Sequence, residues 1–371
     1  MRKDVMVCAD KLRSEHLRKG IRAMSQGMFA TIRNLGTAFV LAASPCSVVR
    51  AEPVSDFYQG KSITMIVGSP AGTAYDLYAR TISRHLPRHI PGAPTQVLQN
   101  MPGAGSLVAA NYIANVAPRD GTVIGAINSA VPFQQLFGVT AVRFDAKNVN
   151  WLPSPAGFSA VIVVSRDAPA QTFAELRQKE VLIATLSPGA TPSFYTAVFN
   201  DLFGTKLKPI TGHPSMPAAL LAMQRGEVHG FPSTPWPSLI RSYGDLYRSG
   251  KITILLQYGP ERIPELKDTP FAADLVHNAD DRKLLEISMA PLVLGYPYMM
   301  AEGVDPERVA AIRRAMSAVM KDQAFLEDAR KQTLDITPVS GEDAQKIIQA
   351  AYEAPMAVVQ RIRRIYENQS K

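Results

Sequence analysis

The sequence predicts an α/β protein made of two lobes, and three observations support this fold class. The chain has 371 residues, of which 46% are hydrophobic and 19% charged, enough for two globular domains. Apolar, strand-like runs alternate with helix-like stretches, a pattern typical of parallel sheets. The alternation begins again after Trp151, which indicates a second unit.

Residues 1–51 have the composition of a secretory signal peptide. A basic stretch is followed by an apolar segment from Leu35 to Val49, and we expect signal peptidase to cleave after Ala51. Met24 and Met28 are alternative start sites. The apolar segment is too short and too polar for a membrane anchor, which needs about 20 residues. The chain is therefore expected to be exported.

The same leader explains the charge and the cysteine content of the chain. It carries most of the net charge of +8, so the remainder is nearly neutral and nucleic-acid binding is not expected. Both cysteines, Cys8 and Cys46, lie within it. A mature chain without thiols has no disulfide, no cysteine nucleophile and no thiolate metal site, which fits the bacterial periplasm.

Lobe 1 is predicted from strand–loop–helix units at the start of the mature chain and from the C-terminal region. Strands are expected at 61–68, 95–101, 121–128 and 291–300, and helices at 76–86, from Leu107, and from Asp305 with Pro306 at the first helical position. Ser340 is expected to begin a long helical region that ends near Tyr366. These elements place lobe 1 at 52–158 plus 288–371.

Lobe 2 is predicted at 159–287. Strands are expected at 160–165, 181–187 and 251–258, with short extended pieces at 208–213 and 227–232 around a helix at about 217–225. Thr172 and Glu175 form a capping box that opens a further helix, and another helix follows the loop after residue 187.

Three of the predicted strands end in small residues just before a helix. Loops of this kind share the carboxyl edge of a parallel sheet, where open α/β folds bind ligands. The free N–H groups of a helix start carry roughly half an elementary positive charge, and small residues let an anion approach. The predicted ligand-binding residues are Ser69, Pro70, Ala71, Gly72, Thr73, Asp76, Pro102, Gly103, Ala104, Gly105, Ser106, Asn128, Ser129, Pro188, Gly189, Ala190, Thr191 and Ser193.

Two residues near these loops have alternative interpretations. Asp76 either bonds the N–H groups of its own helix start or faces the ligand, where it would accept from a hydroxyl or repel a dianion. Trp236 is a wall of the cleft, a core residue or part of a surface lid.

The sequence offers little support for catalysis, a cofactor or a metal. The GxG of Gly103 and Gly105 has Val108 where a dinucleotide fingerprint needs a third glycine, and no P-loop pattern is present. His85 and His89 are four residues apart, but a solvated helix end explains them better than a metal site does. An exported α/β hydrolase would need a base beside Ser106 or Ser193. We therefore expect a non-catalytic binding protein, with a hydrolase or a ligand-presenting sensor as alternatives.

The sequence resembles the extracytoplasmic solute receptors of tripartite tricarboxylate transporters, also called Bug receptors. The resemblance runs from about Phe57 to about Tyr366 and is carried by FYQGKSITMIVG, AGTAYDLYAR, QNMPGAGSLVAANYIANVAPRDGTVIG, FNDLFGTKLKPITG, ALLAMQRGEVHG and VDPERVAAIRRAM. The most specific element is QNMPGAGS followed by APRDGT.

The resemblance implies a two-lobed periplasmic-binding-protein-like fold of type II, which closes on its ligand about a hinge. It also implies a monomeric periplasmic receptor that holds a small organic acid in these loops, partly through water, and delivers it to integral membrane permease subunits. The chain departs from the family pattern at Thr73 and Ala74, where glycines are usual, at His229, where Asp is common, and at Tyr296, where Arg is common. Without a cation at residue 296, a strongly charged ligand such as citrate is not expected.

Overall fold

The computed structural model describes residues 53–185, 191–213 and 216–368. The predicted signal peptide and the predicted site residues Pro188, Gly189 and Ala190 lie outside these ranges. In the described part of the chain, no helix has the length and apolar content that crossing a membrane requires.

Ten strands form two five-stranded sheets in the described part of the chain. The first sheet has the order β2–β1–β3–β10–β4 and the second β7–β6–β8–β5–β9. The strands are β1 Ser62–Val67, β2 Thr95–Asn100, β3 Val123–Ala126, β4 Asn150–Leu152, β5 Ala160–Ser165, β6 Val181–Ala184, β7 Leu207–Ile210, β8 Gly230–Pro235, β9 Ile252–Tyr258 and β10 Tyr298–Met300.

Each sheet has a parallel centre and antiparallel additions. In the first sheet β1 is parallel to β2 and β3, whereas β10 runs antiparallel to β3 and β4. In the second sheet β6 is parallel to β7 and β8, whereas β5 runs antiparallel to β8 and β9. The predicted parallel pairing therefore holds at the centre of each sheet. The antiparallel neighbours come from segments that are far apart in the sequence, so local patterns do not predict their pairing.

Helices cover the faces of both sheets. They are α1 Val54–Tyr58, α2 Ala74–His85, α3 Leu107–Asn115, α4 Val131–Gln134, α5 Thr191–Phe203, α6 Met216–Gln224, α7 Trp236–Arg248, α8 Ala279–Leu294, α9 Pro306–Val319, α10 Gln323–Lys331, α11 Gly341–Tyr352 and α12 Met356–Asn368. Short 3₁₀ turns occupy Leu86–His89, Ala104–Ser106, Ala174–Arg177 and Ala272–Leu275.

Several predicted elements have different extents in the structure. The expected strand at 291–300 is helical up to Leu294, because Pro291 lies inside α8 rather than ending it. The capping box forms, with the Glu175 amide 3.3 Å from Thr172 Oγ1, but it opens a 3₁₀ turn and not an α-helix. The predicted C-terminal helical region is two helices, α11 and α12.

Helices α8 and α12 connect the two sheets. Helix α8 runs without a break through the predicted lobe boundary at 287/288, and its buried face belongs to a core cluster shared with strands of both sheets. The guanidinium of Arg361 on α12 pairs with Asp201 of α5 and Asp281 of α8 at 2.6 and 2.5 Å. The predicted boundaries of the two lobes stay a prediction.

The loops that follow β1 and β2 contact each other closely. A methyl group at Gly68 would lie 2.6 Å from Cβ of Ser106 and 2.7 Å from its Oγ. Instead, Ser106 Oγ donates a hydrogen bond of 2.9 Å to the carbonyl of Gly68. The absence of a side chain at residue 68 thus lets the two loops lie side by side.

We predict that Gly68→Ala lowers the free energy of unfolding by roughly 1–3 kcal/mol, because the new methyl group overpacks this contact. Urea unfolding measures the change. In a Ser106→Gly background, which removes the clashing atoms at a residue with φ of 77°, the same substitution should be less destabilising. Equal losses in both backgrounds would show that the contact is not the cause.

Candidate ligand-binding site

A buried carboxylate organises the loop between β1 and α2. Asp76 Oδ2 accepts from the amide of Gly72 at 2.8 Å and from Arg80 Nε at 2.9 Å, and Asp76 Oδ1 accepts from Asn100 Nδ2 at 2.8 Å. The same Asn100 nitrogen donates to the carbonyl of Ser69 at 2.9 Å. Asp76 is 1% exposed, so its carboxylate serves the loop and the helix start rather than a solvent-facing surface.

This network sets the charge state of Asp76. Burial alone would raise the pKa of the Asp76 carboxyl, but hydrogen bonds from Arg80, Asn100 and the Gly72 amide outweigh it and hold the pKa below its ordinary value. The carboxylate is therefore ionised, and the adjacent guanidinium of Arg80 offsets its charge. The partial positive charge at the N-terminus of α2 is therefore not neutralised by Asp76.

Hydroxyl groups of the same loop bond within the loop. Thr73 is the N-cap of α2; its Oγ1 lies 2.9 Å from Ser69 Oγ and donates to the carbonyl of Pro70 at 2.9 Å. Pro70, Ala71 and Gly72 are exposed, with Gly72 in the left-handed region at φ of 81°. The backbone of this loop is thus its accessible part.

The loop at Pro102–Ser106 has an unusual backbone. Ala104, Gly105 and Ser106 have φ values of 44°, 61° and 77°, three consecutive residues in the left-handed region. For alanine and serine this conformation costs about 1 kcal/mol each. Pro102, Ala104 and Gly105 are exposed, Gly103 is half-buried and Ser106 is buried. Strain of this kind is found at ligand-binding loops, where surrounding contacts maintain it.

Asn128 and Ser129 follow β3, and Ser129 contacts Tyr75 of α2. The amide of Ser129 donates to the Tyr75 hydroxyl at 3.2 Å, and that hydroxyl lies 3.4 Å from both Ser129 Oγ and the carbonyl of Gly295. Asn128 Oδ1 accepts from the amide of Ala130 at 2.9 Å. Burial raises the pKa of the Tyr75 hydroxyl, which therefore stays neutral and ties the first loop to the third.

The residues predicted in the second lobe are only partly described. Thr191 is exposed at the start of α5, and Ser193, two residues further on, is buried. Trp236 is 8% exposed and packs edge-on against Tyr247 at 5.4 Å between ring centroids. The core interpretation of this tryptophan is the one the structure supports.

A cavity of about 150 Å³ lies between residues of α2 and residues of α7. Its walls come from the α2 start, from the segment between β4 and β5, from the β8–α7 junction and from the loop after α10. They are Gly72, Ala74, Leu77, Tyr78, Ala156, Gly157, Phe158, Pro235, Pro237, Ser238, Arg241, Tyr296, Thr333, Leu334 and Asp335. Of the predicted site residues in the described chain, Gly72 lines it directly; the other predicted ligand contacts stay predictions.

Two helix starts and one guanidinium make this cavity suitable for an anion. Ala74 is the first residue of α2, and Pro237 and Ser238 lie in the first turn of α7, so residues from the starts of both helices line the same space. The first amide of α7, that of Trp236, donates to the Ser159 carbonyl at 3.0 Å. Arg241, one turn further along α7, donates from Nη1 to the carbonyl of Thr333 at 3.0 Å. This bond joins a helix of the second sheet to the loop that follows α10.

Aromatic rings form one wall of the cavity. Tyr296 packs against Tyr78 at 4.1 Å, against Tyr75 at 5.0 Å and against Phe158 at 5.8 Å between ring centroids. The Tyr78 hydroxyl donates to the carbonyl of Asp335 at 2.8 Å. Where the family pattern has a cation, this chain therefore has the centre of an aromatic cluster.

Sequence reasoning did not find Arg241, Ser238 or Asp335. Helix α7 was not predicted, because the prolines of FPSTPWPS look like a loop, although Pro237 at the second helical position is compatible with a helix start. If Pro237 had been interpreted as part of a helix start, Arg241 would have been predicted one turn inside a helix that begins directly after β8.

The paired histidines bind carboxylates of α10. His85 Nε2 lies 3.0 Å from Asp328 Oδ2, and His89 Nε2 lies 2.9 Å from Asp322 Oδ2. Arg84 and Arg88 pair with the same two aspartates at 2.8 and 2.7 Å. These contacts attach the end of α2 to α10, and within the described ranges no cluster of metal-ligating side chains occurs.

Two curated relatives match nearly the whole chain, while no model of a known protein family matches it. The UPF0065 protein in the gbd 5′ region of Cupriavidus necator is 22% identical over 344 residues, 89% of this chain and 96% of the relative. A UPF0065 protein of Bordetella bronchiseptica is 23% identical over 337 residues, 89% and 92% of the two chains.

Solved structures share the fold. A TctC solute-binding protein from Polaromonas superposes with a TM-score of 0.62 at 18% identity, covering 84% of this chain and 98% of its own. An R. palustris protein with adipate gives 0.57 at 19% identity, with 83% and 97% covered. The periplasmic binding protein BugD gives 0.55 at 15% identity, with 84% and 98% covered.

These comparisons confirm the predicted fold class and the predicted resemblance. The chain has the two-sheet α/β fold of TctC- and Bug-type periplasmic binding proteins, and its curated relatives are UPF0065 proteins.

We predict that Asp76→Asn lowers the free energy of unfolding at pH 7 by about 1–3 kcal/mol, because the charge-assisted bonds to Arg80 and Asn100 weaken. Because the folded-state pKa is depressed, this stabilisation is present above the unfolded pKa of about 3.9 and is lost as pH falls through the folded value. Urea unfolding at pH 7, 4 and 3 measures it.

The difference between wild type and Asp76→Asn should therefore shrink between pH 4 and pH 3. Asp245→Asn is the control, since Asp245 is 97% exposed and its pair with Arg248 is a surface contact. That control should change stability by less than about 0.5 kcal/mol. A pH-independent difference for Asp76→Asn would contradict the assigned role of its charge.

Proposed function

We propose that the chain is a periplasmic solute-binding receptor that captures a small organic carboxylate between its two sheets. The observation that carries this proposal is the convergence of the α2 start, the α7 start and Arg241 on one cavity. Helix starts carry partial positive charge, and a guanidinium is a charge-assisted partner for a carboxylate. The adipate in the R. palustris relative is a carboxylate as well.

Ligand capture would involve closure of the two lobes. The bond from Arg241 to the Thr333 carbonyl spans the cavity mouth, so opening must break it and closure must form it. A hinge in the segments between the sheets would allow this motion. We infer a non-catalytic role: Ser106, one of the two serines offered for the hydrolase alternative, uses its hydroxyl to bond the Gly68 carbonyl.

The cellular setting follows from the leader sequence and the resemblance. Export by the predicted signal peptide would place the mature chain in the periplasm, with cleavage near Ala51. There the loaded receptor, acting as a monomer, would deliver its ligand to integral membrane permease subunits of a tripartite tricarboxylate-type transporter. Co-purification of the receptor with such subunits, dependent on ligand, would test this step.

We predict that a thermal-shift screen of small organic acids finds at least one that raises the Tm in a concentration-dependent way. A ligand at 100 times its Kd should stabilise the folded state by about 2.7 kcal/mol, because it binds only that state. The uncharged amide of the same acid is the control and should have a much smaller effect. If only amines or sugars raise the Tm, the site is not an anion site.

We predict that Ala74→Asp abolishes this shift while leaving the fold intact. A carboxylate at the first position of α2 favours the helix, but it places negative charge on the cavity wall. Ala74→Asn, of nearly the same shape and without the charge, is the matched control and should retain most of the affinity. Equal binding by the Ala74→Asp variant and wild type would place the ligand elsewhere.

A further inference from the structure

Two residues of opposite charge line the cavity, and no ion pair joins them. Arg241 belongs to α7, and Asp335 lies in the loop after α10. The backbone carbonyl of Asp335 accepts from the Tyr78 hydroxyl at 2.8 Å, but within the described ranges its carboxylate has neither an ion pair nor a hydrogen bond. A guanidinium and a carboxylate that line one cavity without bonding each other are both available to a ligand.

Both charges act on the same part of the cavity wall. Arg241 Nη1 donates to the carbonyl of Thr333, two residues before Asp335, at 3.0 Å. Burial raises the pKa of the Tyr78 and Tyr296 hydroxyls. The negative charge of Asp335 raises both pKa values further, whereas the guanidinium of Arg241 opposes the rise. The two charged groups therefore lie within electrostatic reach of the same two hydroxyls, although they are too far apart to pair.

The bonding capacity of the two groups defines the polarity of the ligand. A guanidinium carries five N–H donors, and in the described part of the chain Arg241 uses only Nη1, so its other nitrogens remain for a ligand carboxylate. A carboxylate only accepts hydrogen bonds, so a ligand group at Asp335 must be a donor. An ammonium group meets this requirement and complements the charge, whereas a second ligand carboxylate would be repelled there.

The size of the cavity limits the ligand to a small one. A cavity of about 150 Å³ holds a molecule of the size of benzene, roughly six non-hydrogen atoms. Leu77, Leu334, Pro235 and Pro237 form apolar parts of the wall, and Ser238 adds a hydroxyl. A short amino acid such as alanine or serine has this size and carries its carboxylate and its ammonium group on one carbon atom.

We propose that the receptor selects a small amino acid, with its carboxylate bound by Arg241 and its ammonium group bound by Asp335. This inference rests on the receptor function proposed above and names the substrate class of that site. The ligand is still a carboxylate, but the acidic residue in the wall requires a cationic group beside it. This requirement excludes simple monoacids and diacids as preferred ligands.

Isothermal titration calorimetry with alanine and three matched analogues tests the proposal on the purified protein. Propionate lacks the ammonium group, alaninamide lacks the carboxylate, and methylmalonate has a second carboxylate in place of the ammonium group. Alanine should bind roughly 10-fold or more tightly than each of them, because it alone satisfies both charges.

The outcomes separate the substrate class from the receptor function. If propionate or methylmalonate binds as tightly as alanine, the amino-acid class is wrong and the receptor function stands. If alaninamide binds as tightly as alanine, or if none of the four binds, the site does not recognise a carboxylate and the receptor function fails too.

Two variants test the assigned contacts one at a time. Asp335→Asn keeps the backbone carbonyl that Tyr78 binds, so it should weaken alanine roughly 10-fold or more and change propionate by less than about 2-fold. Arg241→Gln should weaken alanine and propionate by a similar factor, roughly 10-fold or more, because both ligands carry the carboxylate.

Asp280→Asn and Arg248→Gln are the matched controls. Asp280 is exposed on α8, Arg248 pairs with Asp245 at the surface, and neither lines the cavity. Their Kd for alanine should stay within about 2-fold of wild type. Equal losses for alanine and propionate in Asp335→Asn would overturn the ammonium contact, and wild-type affinity in Arg241→Gln would overturn the carboxylate contact.

Discussion

The buried carboxylate of Asp76 is the interaction on which the rest of the site depends. It accepts from Gly72, Arg80 and Asn100, and so it connects the loop after β1, the first turns of α2 and the end of β2. A buried charge is tolerated only where donors satisfy it, which fixes the positions of all three partners. These bonds fix the start of α2 beside the cavity, and Arg80 offsets the negative charge of Asp76.

The proposed anion binding comes from the fold more than from charged side chains. The first sheet supplies the start of α2, the second sheet supplies the start of α7, and Arg241 adds one cation at the rim. Because the helix starts belong to different sheets, a ligand that touches both would hold the two halves together. The strained backbone at Ala104–Ser106 and the Gly68–Ser106 contact keep the neighbouring loop close to the same edge.

The sequence predicted the elements whose signals are local. Strand β5 and the N-cap at Asp305 were correct to the residue, and β1, β2 and α2 were correct within two or three residues, because period and capping chemistry determine them. It did not predict α7 or α8, where proline inside a helical segment imitates a break. The cavity wall was also beyond local pattern, since Arg241 and Asp335 come to line one cavity only through tertiary packing. Asp76 had two local interpretations, and only the position of Asn100 on the adjacent strand distinguishes them.

The central claim is that the positive helix ends of both halves share one ligand. A crystal structure of the protein grown with a bound small organic carboxylate tests this claim most directly. We expect carboxylate oxygens within hydrogen-bonding distance of the Arg241 guanidinium and of amides in the first turns of α2 or α7. A carboxylate bound away from both helix starts, for instance in the surface groove beside Phe271 and Met289, would contradict it.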